Sequence, residues 1–231
     1  MEGKFLSFDF EFMVGLIPTM LKYGGVTLKL SVLAIIFGLI LAFIIAIVID
    51  AKVPILNKVF KVYISFFRGT PLMSQLFCFY FGVLPLLNHD TMLRISSFYA
   101  ALIILSLASS AYMAESLRAA ITSIHKGQME ASQSIGMTYM QSMYHIILPQ
   151  AIRVAIPTLF SSFINIVKDT SLVFAIGVKE MMAQAQLEGS SSYKYLEAFV
   201  CVLLIYWMIT SIMTFVQSRL EKKMGKMVGD K

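Results

Sequence analysis

Residues 26–49 form an apolar run of about 24 residues, and this run constrains the fold more than any other feature of the sequence. As an α-helix it would be roughly 36 Å long, which is enough to cross a hydrocarbon core of about 30 Å. Long apolar segments must be helical in that core, because no water is present to satisfy their backbone groups. Hydrophobic residues make up 58% of the 231 positions and charged residues only 14%. We therefore expect an all-α, polytopic membrane protein.

Four further apolar stretches bring the expected number of transmembrane helices to five. They lie at about 59–84, 98–117, 156–178 and 195–215. The second stretch contains the run Arg68, Gly69, Thr70 and Pro71, which we interpret as a structural motif that caps or pins a helix kinked at the proline. The third stretch carries small residues at 108–111, and small side chains allow close helix packing in lipid. Near its end Glu115 lies three residues before Arg118, a spacing that predicts an ion pair on one face of the helix.

Lys and Arg residues are distributed unevenly between the two sides of these five spans. One side would carry Lys52, Lys58, Lys61, Arg118, Lys126, Arg153, Arg219, Lys222, Lys223, Lys226 and Lys231. The other side would carry Lys4, Lys22, Arg94, Lys179 and Lys194. Positive residues favour the cytoplasmic side, so we expect the N-terminus outside and the C-terminus inside.

The longest polar connection, residues 118–150, combines hydrophobic residues at roughly helical spacing with a glycine. Gly136 interrupts the pattern where a turn between two short helices would fit. Pro149 is expected to close the segment. Such an amphipathic element can dock into the groove of a partner protein.

Motifs along the chain resemble the permeases of binding-protein-dependent ABC importers. Glu130, Ala131, Gly136 and the ILP run at 147–149 resemble the EAA loop, with Ser132 in place of the usual second alanine. FFRGTPLMSQL at 66–76, AYMAESLRAAI at 111–121 and KDTSL at 168–172 are similar to the polar amino acid subfamily, which includes histidine, glutamine, arginine and cystine permeases.

The resemblance implies a type I importer fold and a division of the chain into three parts. Residues 1–20 would be an extracytoplasmic or interfacial segment, residues 21–219 the permease domain, and residues 220–231 a cytoplasmic basic tail. The chain would lie in a bacterial inner membrane as a dimer with itself or with a homologous chain. Its other expected partners are two cytoplasmic ATPase subunits and an external substrate-binding protein. Glu130, Ala131, Gly136 and Pro149 would couple the chain to the ATPase.

Ionisable residues near the fourth and fifth spans are candidates for the substrate pathway, because charges at membrane depth usually face a cavity or one another. Lys168 and Asp169 together match the carboxylate and the ammonium of a free amino acid. The resemblance adds Thr170 and Glu197 to this set. An alternative is that Lys168 and Asp169 pair with each other or with another helix and only fix helix packing. The motifs at 131–138 and 197–207 most resemble those of cystine permeases, which implies L-cystine as the cargo. Glutamine, histidine, arginine and glutamate are the alternatives.

The sequence contains no G-x-x-x-x-G-K-[ST] motif and no clustered Cys and His residues. We therefore expect no enzymatic activity, no metal and no cofactor on this chain, with ATP and Mg²⁺ bound by the partner ATPase. Two alternatives remain at this point. An ion-gradient-driven secondary transporter would use Lys168, Asp169 and Glu197 as ion sites, and a membrane scaffold would carry no substrate.

Overall fold

The structure is a computed structural model, and it describes residues 8–87 and 95–229, with side chains up to residue 222. The described residues are helical and contain no β-strand, which confirms the expected all-α class. The helices are α1 (Phe10–Asp50), α2 (Leu56–Gly69), α3 (Leu72–Leu87), α4 (Ser97–Ser123), α5 (Lys126–Ser134), α6 (Tyr139–Ile176), α7 (Met181–Ser192) and α8 (Tyr195–Gly229). Within the described part, α1, α4, α6 and α8 are long and apolar enough to cross a membrane, and the bent pair α2 and α3 gives five spans if it counts as one.

Helix α1 begins at Phe10, earlier than the apolar run alone predicts. The carboxylate of Asp9 accepts the N–H of Phe12 at 2.8 Å and so caps the first turn. Pro18 lies inside the helix, which continues because Leu16 and Met20 are buried on either side of it. Residues 10–20 are therefore part of α1 and not a separate element. Residues 1–7, including Lys4, lie outside the described residues, as does Arg94.

The second apolar stretch contains a complete break where the sequence predicts a kink. Thr70 is extended, with φ −118° and ψ 146°, because the ring of a following proline disfavours the helical conformation. Its hydroxyl donates to the carbonyl of Phe66 at 2.8 Å and satisfies the end of α2. Pro71 then precedes the first residue of α3, a position where its missing N–H costs little.

Helix α6 differs from the expected fourth span, because it begins at Tyr139 and passes through Pro149. The prediction that Pro149 closes the 118–150 segment is therefore wrong. A π-helical turn, Met143–Ile147, precedes the proline, and such a turn rearranges the backbone hydrogen bonds that a proline ring would disrupt. The helix narrows to a 3₁₀ conformation over Thr170–Ile176 and ends at Gly177, whose φ is +86°.

The chain divides into two packed units, each with its own core. The first unit contains residues 1–34, 72–105 and 165–213, and the second contains residues 35–71, 106–164 and 214–231. In the first unit, α1 residues such as Met20 pack with Met181 and Cys201. In the second, α1 residues such as Ile45 pack with Met113 of α4 and Ile147 of α6.

Gly38 shows why small residues occur in the core of the second unit. A Cβ atom at this position would lie 2.5 Å from Oγ of Ser109 and 3.1 Å from the backbone oxygen of Ser106. Glycine thus allows α1 and α4 to approach closely, as the small residues at 108–111 predict.

Candidate functional site

The 118–150 segment consists of the end of α4, the short helix α5, a tight turn and the first part of α6. His125 caps α5 by accepting the N–H of Gly127 at 3.1 Å. Gly136 adopts a φ of +88°, in the left-handed region that favours glycine, so the predicted turn is confirmed. Thr138 and Gln141 then form a capping box that begins α6.

The predicted coupling residues are accessible on the outside of this segment. Glu130 and Ala131 on α5 are exposed, and so are Gly136 and Pro149. Among the described residues, no hydrogen bond or ion pair engages the Glu130 carboxylate. Ser132 is different, because only 2% of it is exposed.

Three hydrogen bonds fix the 118–150 segment, two of them within it and one to the end of α1, and the sequence reasoning did not find them. Oγ of Ser132 lies 2.7 Å from Oγ of Ser142, which joins α5 to α6. Gln150 of α6 donates to the side-chain oxygen of Gln128 on α5 at 3.2 Å. The hydroxyl of Tyr139 donates to Asp50 at 2.6 Å, which joins the start of α6 to the end of α1. A serine at the usual alanine position was the one available signal for the first of these contacts.

The spacing of the hydrophobic residues in the segment predicts that they lie on one face of it. In the structure they do not. Met143, Ile147 and Leu148 belong to the core of the second unit. Ile135 and Tyr144 are 79% and 70% exposed. An open groove of about 640 Å³ lies beside them, lined by Phe43, Ile47, Met140, Met143, Tyr144, His145, Leu148, Pro149 and Ile152. The segment therefore presents both charged and apolar atoms to its surroundings.

The Arg68 motif lies in the same unit. The guanidinium group of Arg68 stacks over the ring of Tyr112, 5.6 Å from its centre. Three residues beyond Tyr112, Glu115 forms an ion pair with Arg118 of the same helix, and Nε of Arg118 is 3.2 Å from the carboxylate. That pair agrees with the expectation from their i, i+3 spacing.

Lys168, Asp169 and Thr170 lie where α6 changes from α-helical to 3₁₀ geometry. Lys168 is exposed, Asp169 is partly exposed and Thr170 is fully buried. Across residues 8–87 and 95–222, no ion pair joins Lys168 to Asp169. A direct ion pair between these two residues is therefore not observed, and the alternative in which they only fix helix packing stays a prediction.

Glu197 has a different environment from the other three pathway candidates. It is 8% exposed in the first turn of α8, and its carboxylate accepts the backbone N–H of Asp9 at 3.0 Å. Asp9 also forms an ion pair with Lys194 at 2.6 Å. The observed partner of Glu197 is thus the start of α1.

A buried polar cluster in the first unit contains residues that the sequence reasoning missed. Glu180 is fully buried, and it accepts hydrogen bonds from the hydroxyl of Tyr206 at 2.8 Å and from the N–H of Ala183 at 2.8 Å. The hydroxyl of Thr27 lies 3.5 Å from the same carboxylate. Burial raises the pKa of the Glu180 carboxyl above its ordinary value. Glu180 follows Lys179 in a short connection, where the local sequence gives no sign of burial.

No group of three or more His, Cys, Asp or Glu residues converges within the described part of the chain.

Comparison with known proteins identifies the family. Residues 34–226 match the family of binding-protein-dependent transport system inner membrane components. PatM of Vibrio harveyi, a probable amino-acid ABC transporter permease protein, is 49% identical over 96% of this chain and 98% of its own. TcyL of Bacillus subtilis, an L-cystine transport system permease protein, is 37% identical over 95% of this chain and 93% of its own.

A solved structure leads to the same assignment. A chain in the crystal structure of an amino acid ABC transporter with histidines has a TM-score of 0.86 and 33% sequence identity, covering 94% of this chain and 100% of that chain. These relatives are transport subunits, and a separate subunit of such a transporter hydrolyses ATP. The chain belongs to the family of binding-protein-dependent transport system inner membrane components, and within it to the amino-acid ABC transporter permeases.

Proposed function

We propose that this permease is driven by its ATPase through the outer surface of α5, with Glu130, Ala131 and Gly136 as contact positions and Pro149 beside them. One observation supports this most directly. The contact positions are exposed, whereas Ser132 behind them is buried and bonded to Ser142 of α6. A short helix with one exposed face and another face bonded to α6 transfers the movement of a docked partner to α6. ATP and Mg²⁺ bind to that partner, and this chain holds no cofactor.

The substitution Glu130→Arg tests the proposed docking. It reverses a charge at the docking surface, so we expect weaker co-purification of the ATPase and loss of ATP-coupled uptake in proteoliposomes. Glu11→Arg is the matched control, because Glu11 is also exposed but lies in the first turn of α1. Normal complex formation and normal ATP-coupled uptake by the Glu130→Arg variant would refute the assignment.

We also propose that Lys168, Asp169, Thr170 and Glu197 line the pathway of a polar amino acid. A free amino acid carries one ammonium and one carboxylate group. Lys168 and Asp169 offer one complementary charge each, and support comes from the lack of an ion pair between these two described residues. Glu197 is included because of the resemblance to the permease family. Because its carboxylate already accepts a bond from Asp9, Glu197→Gln should impair uptake less than Asp169→Asn does.

L-cystine is the proposed cargo, supported by the similarity to TcyL and by the sequence motifs at 131–138 and 197–207. The test is uptake of labelled amino acids by proteoliposomes that contain the permease, its ATPase and its binding protein. Unlabelled L-cystine should compete more strongly than histidine, glutamine or arginine. Stronger competition by histidine would reject cystine, and uptake without an ATPase would reject the ATP-driven mechanism.

We propose that the N-terminus is outside, that the 118–150 segment is cytoplasmic, and that two permease chains form the pathway. The distribution of Lys and Arg supports this orientation. In a background without Cys78 and Cys201, a cysteine at Gln133 should react with a membrane-impermeant reagent only from inside. A cysteine at Tyr193, which is 88% exposed, should react only from outside. The opposite pattern would reject both the orientation and the coupling role.

A further inference from the structure

We propose that Glu180 is a positioning residue, which with Tyr206 and Thr27 fixes the 3₁₀ segment after Asp169 and thereby sets the affinity of the permease for its amino acid. The inference rests on the substrate pathway proposed above. It adds residues that do not belong to that pathway and that lie in other helices.

Glu180 connects three helices through one buried carboxyl group. Oε1 accepts the N–H of Ala183 and caps α7. Oε2 accepts the hydroxyl of Tyr206 on α8 and lies 3.5 Å from the hydroxyl of Thr27 on α1. Burying a carboxyl group is costly unless its oxygens are bonded. An exposed Ser or Asp would cap α7 without that cost, so capping alone does not explain the burial.

The connection to the proposed pathway runs through Thr170. The hydroxyl groups of Thr170 and Tyr206 are close enough to interact. Each donates its proton to another group, Thr170 to the carbonyl of Val167 at 2.7 Å and Tyr206 to Glu180 at 2.8 Å. Thr170 is fully buried and directly follows Asp169. Tyr206 of the Glu180 cluster therefore lies against the first residue of the 3₁₀ segment, which is itself buried.

The segment needs such support because of its own backbone. Hydrogen bonds in a 3₁₀ helix have poorer geometry than those in an α-helix. Thr170–Ile176 is a seven-residue run of this kind, and it ends at Gly177 in a left-handed conformation. Its backbone alone fixes its position weakly, whereas a fully bonded buried network specifies one geometry.

The variants distinguish the effect of losing a hydrogen bond from the effect of losing side-chain volume. Tyr206→Phe removes one hydroxyl and keeps the ring. Glu180→Ala removes the carboxyl, and Glu180→Gln keeps an oxygen that still accepts from Tyr206. The matched controls are Tyr193→Phe, at an exposed tyrosine, and Glu188→Gln, at a partly exposed glutamate of α7.

Two measurements on the reconstituted complex test the proposal. Hydrogen–deuterium exchange of residues 170–176 measures how firmly their backbone is held. The half-saturating substrate concentration for uptake measures the affinity. Tyr206→Phe should increase the exchange rate and the half-saturating concentration by about three- to tenfold, the factor that corresponds to one buried hydrogen bond. Glu180→Ala should increase both at least as much, because it also removes the contacts with Ala183 and Thr27. ATP hydrolysis without substrate should not change in the Tyr206→Phe variant, and Glu180→Gln should restore values close to wild type.

Three results would overturn the proposal. The first is unchanged exchange of residues 170–176 in the Tyr206→Phe variant. The second is faster exchange with an unchanged half-saturating concentration. The third is equally faster exchange throughout α1, α7 and α8, which is the mark of general destabilisation. Asp169→Asn tests the pathway separately: normal uptake by that variant would reject the pathway, while the exchange measurement still reports on positioning.

Discussion

The hydroxyl of Tyr139 donates a hydrogen bond of 2.6 Å to the carboxylate of Asp50. These residues are the first residue of α6 and the last residue of α1, so the contact fixes the base of a span that follows directly from the turn at Gly136. Ser132 and Ser142 hold α5 against the same helix. Together these bonds fix α5 to the start of α6 and the start of α6 to the end of α1.

Tyr139→Phe removes only the hydroxyl of this contact. A hydrogen bond to a charged group contributes about 1.5–3 kcal/mol, so we expect a lower melting temperature of the complex. We also expect more ATP hydrolysed for each substrate molecule transported, because α6 is less firmly connected to α1. Tyr144→Phe is the control, since Tyr144 is 70% exposed. An unchanged ratio of hydrolysis to transport in the Tyr139→Phe variant would exclude a role in coupling.

Ser132 and Ser142 should behave as an interacting pair. Each single change to alanine leaves the other hydroxyl buried without this partner, at a cost of about 1–3 kcal/mol. The double variant removes both groups, so its loss of stability should be smaller than the sum of the two single losses. Thermal unfolding of the three variants measures the difference. Additive losses would mean that the 2.7 Å contact contributes nothing.

Gly38→Ala should destabilise the second unit, because the added Cβ would meet Ser109 at 2.5 Å. Overpacking of this kind costs about 1–3 kcal/mol. Gly15→Ala is the control within α1, where a Cβ meets no atom within 4 Å, and there the higher helix propensity of alanine should preserve or raise stability. Equal melting temperatures for the two variants would contradict the close packing of α1 on α4.

The Asp9–Lys194 ion pair predicts a dependence of stability on pH. The hydrogen bond from Lys194, followed by that from the N–H of Phe12, lowers the pKa of the Asp9 carboxyl. A lowered pKa stabilises the folded state above the unfolded value, near 3.8, and this contribution is lost as the pH falls through the lower folded value. Asp9→Asn keeps a good helix cap and removes the charge. The melting temperature of the wild type should exceed that of the variant at neutral pH, and the difference should shrink below pH 3.8. A difference that does not depend on pH would exclude the ion pair as its source.

Local features of the sequence predicted much of the fold. The length of the apolar run at 26–49 predicted a spanning helix, Pro71 predicted a kink at the place where the structure has a break, and Gly136 predicted a turn. The i, i+3 spacing predicted the pair Glu115 and Arg118. Each of these predictions depends on a few neighbouring residues, whose backbone preferences and solvation follow from their own chemistry.

Other features depended on residues that are distant in the sequence. Burial of Leu16 and Met20 keeps α1 helical through Pro18, and a π-helical turn allows α6 to continue through Pro149. Glu180 and Thr27 are 153 positions apart, and only packing of their helices converts an ordinary-looking glutamate into a buried link. The sequence by itself determined the helical class, the spans and the turns, because these follow from local propensity and hydrophobic length. The tertiary structure decided which polar groups are buried together, because that depends on contacts between helices that no local pattern encodes.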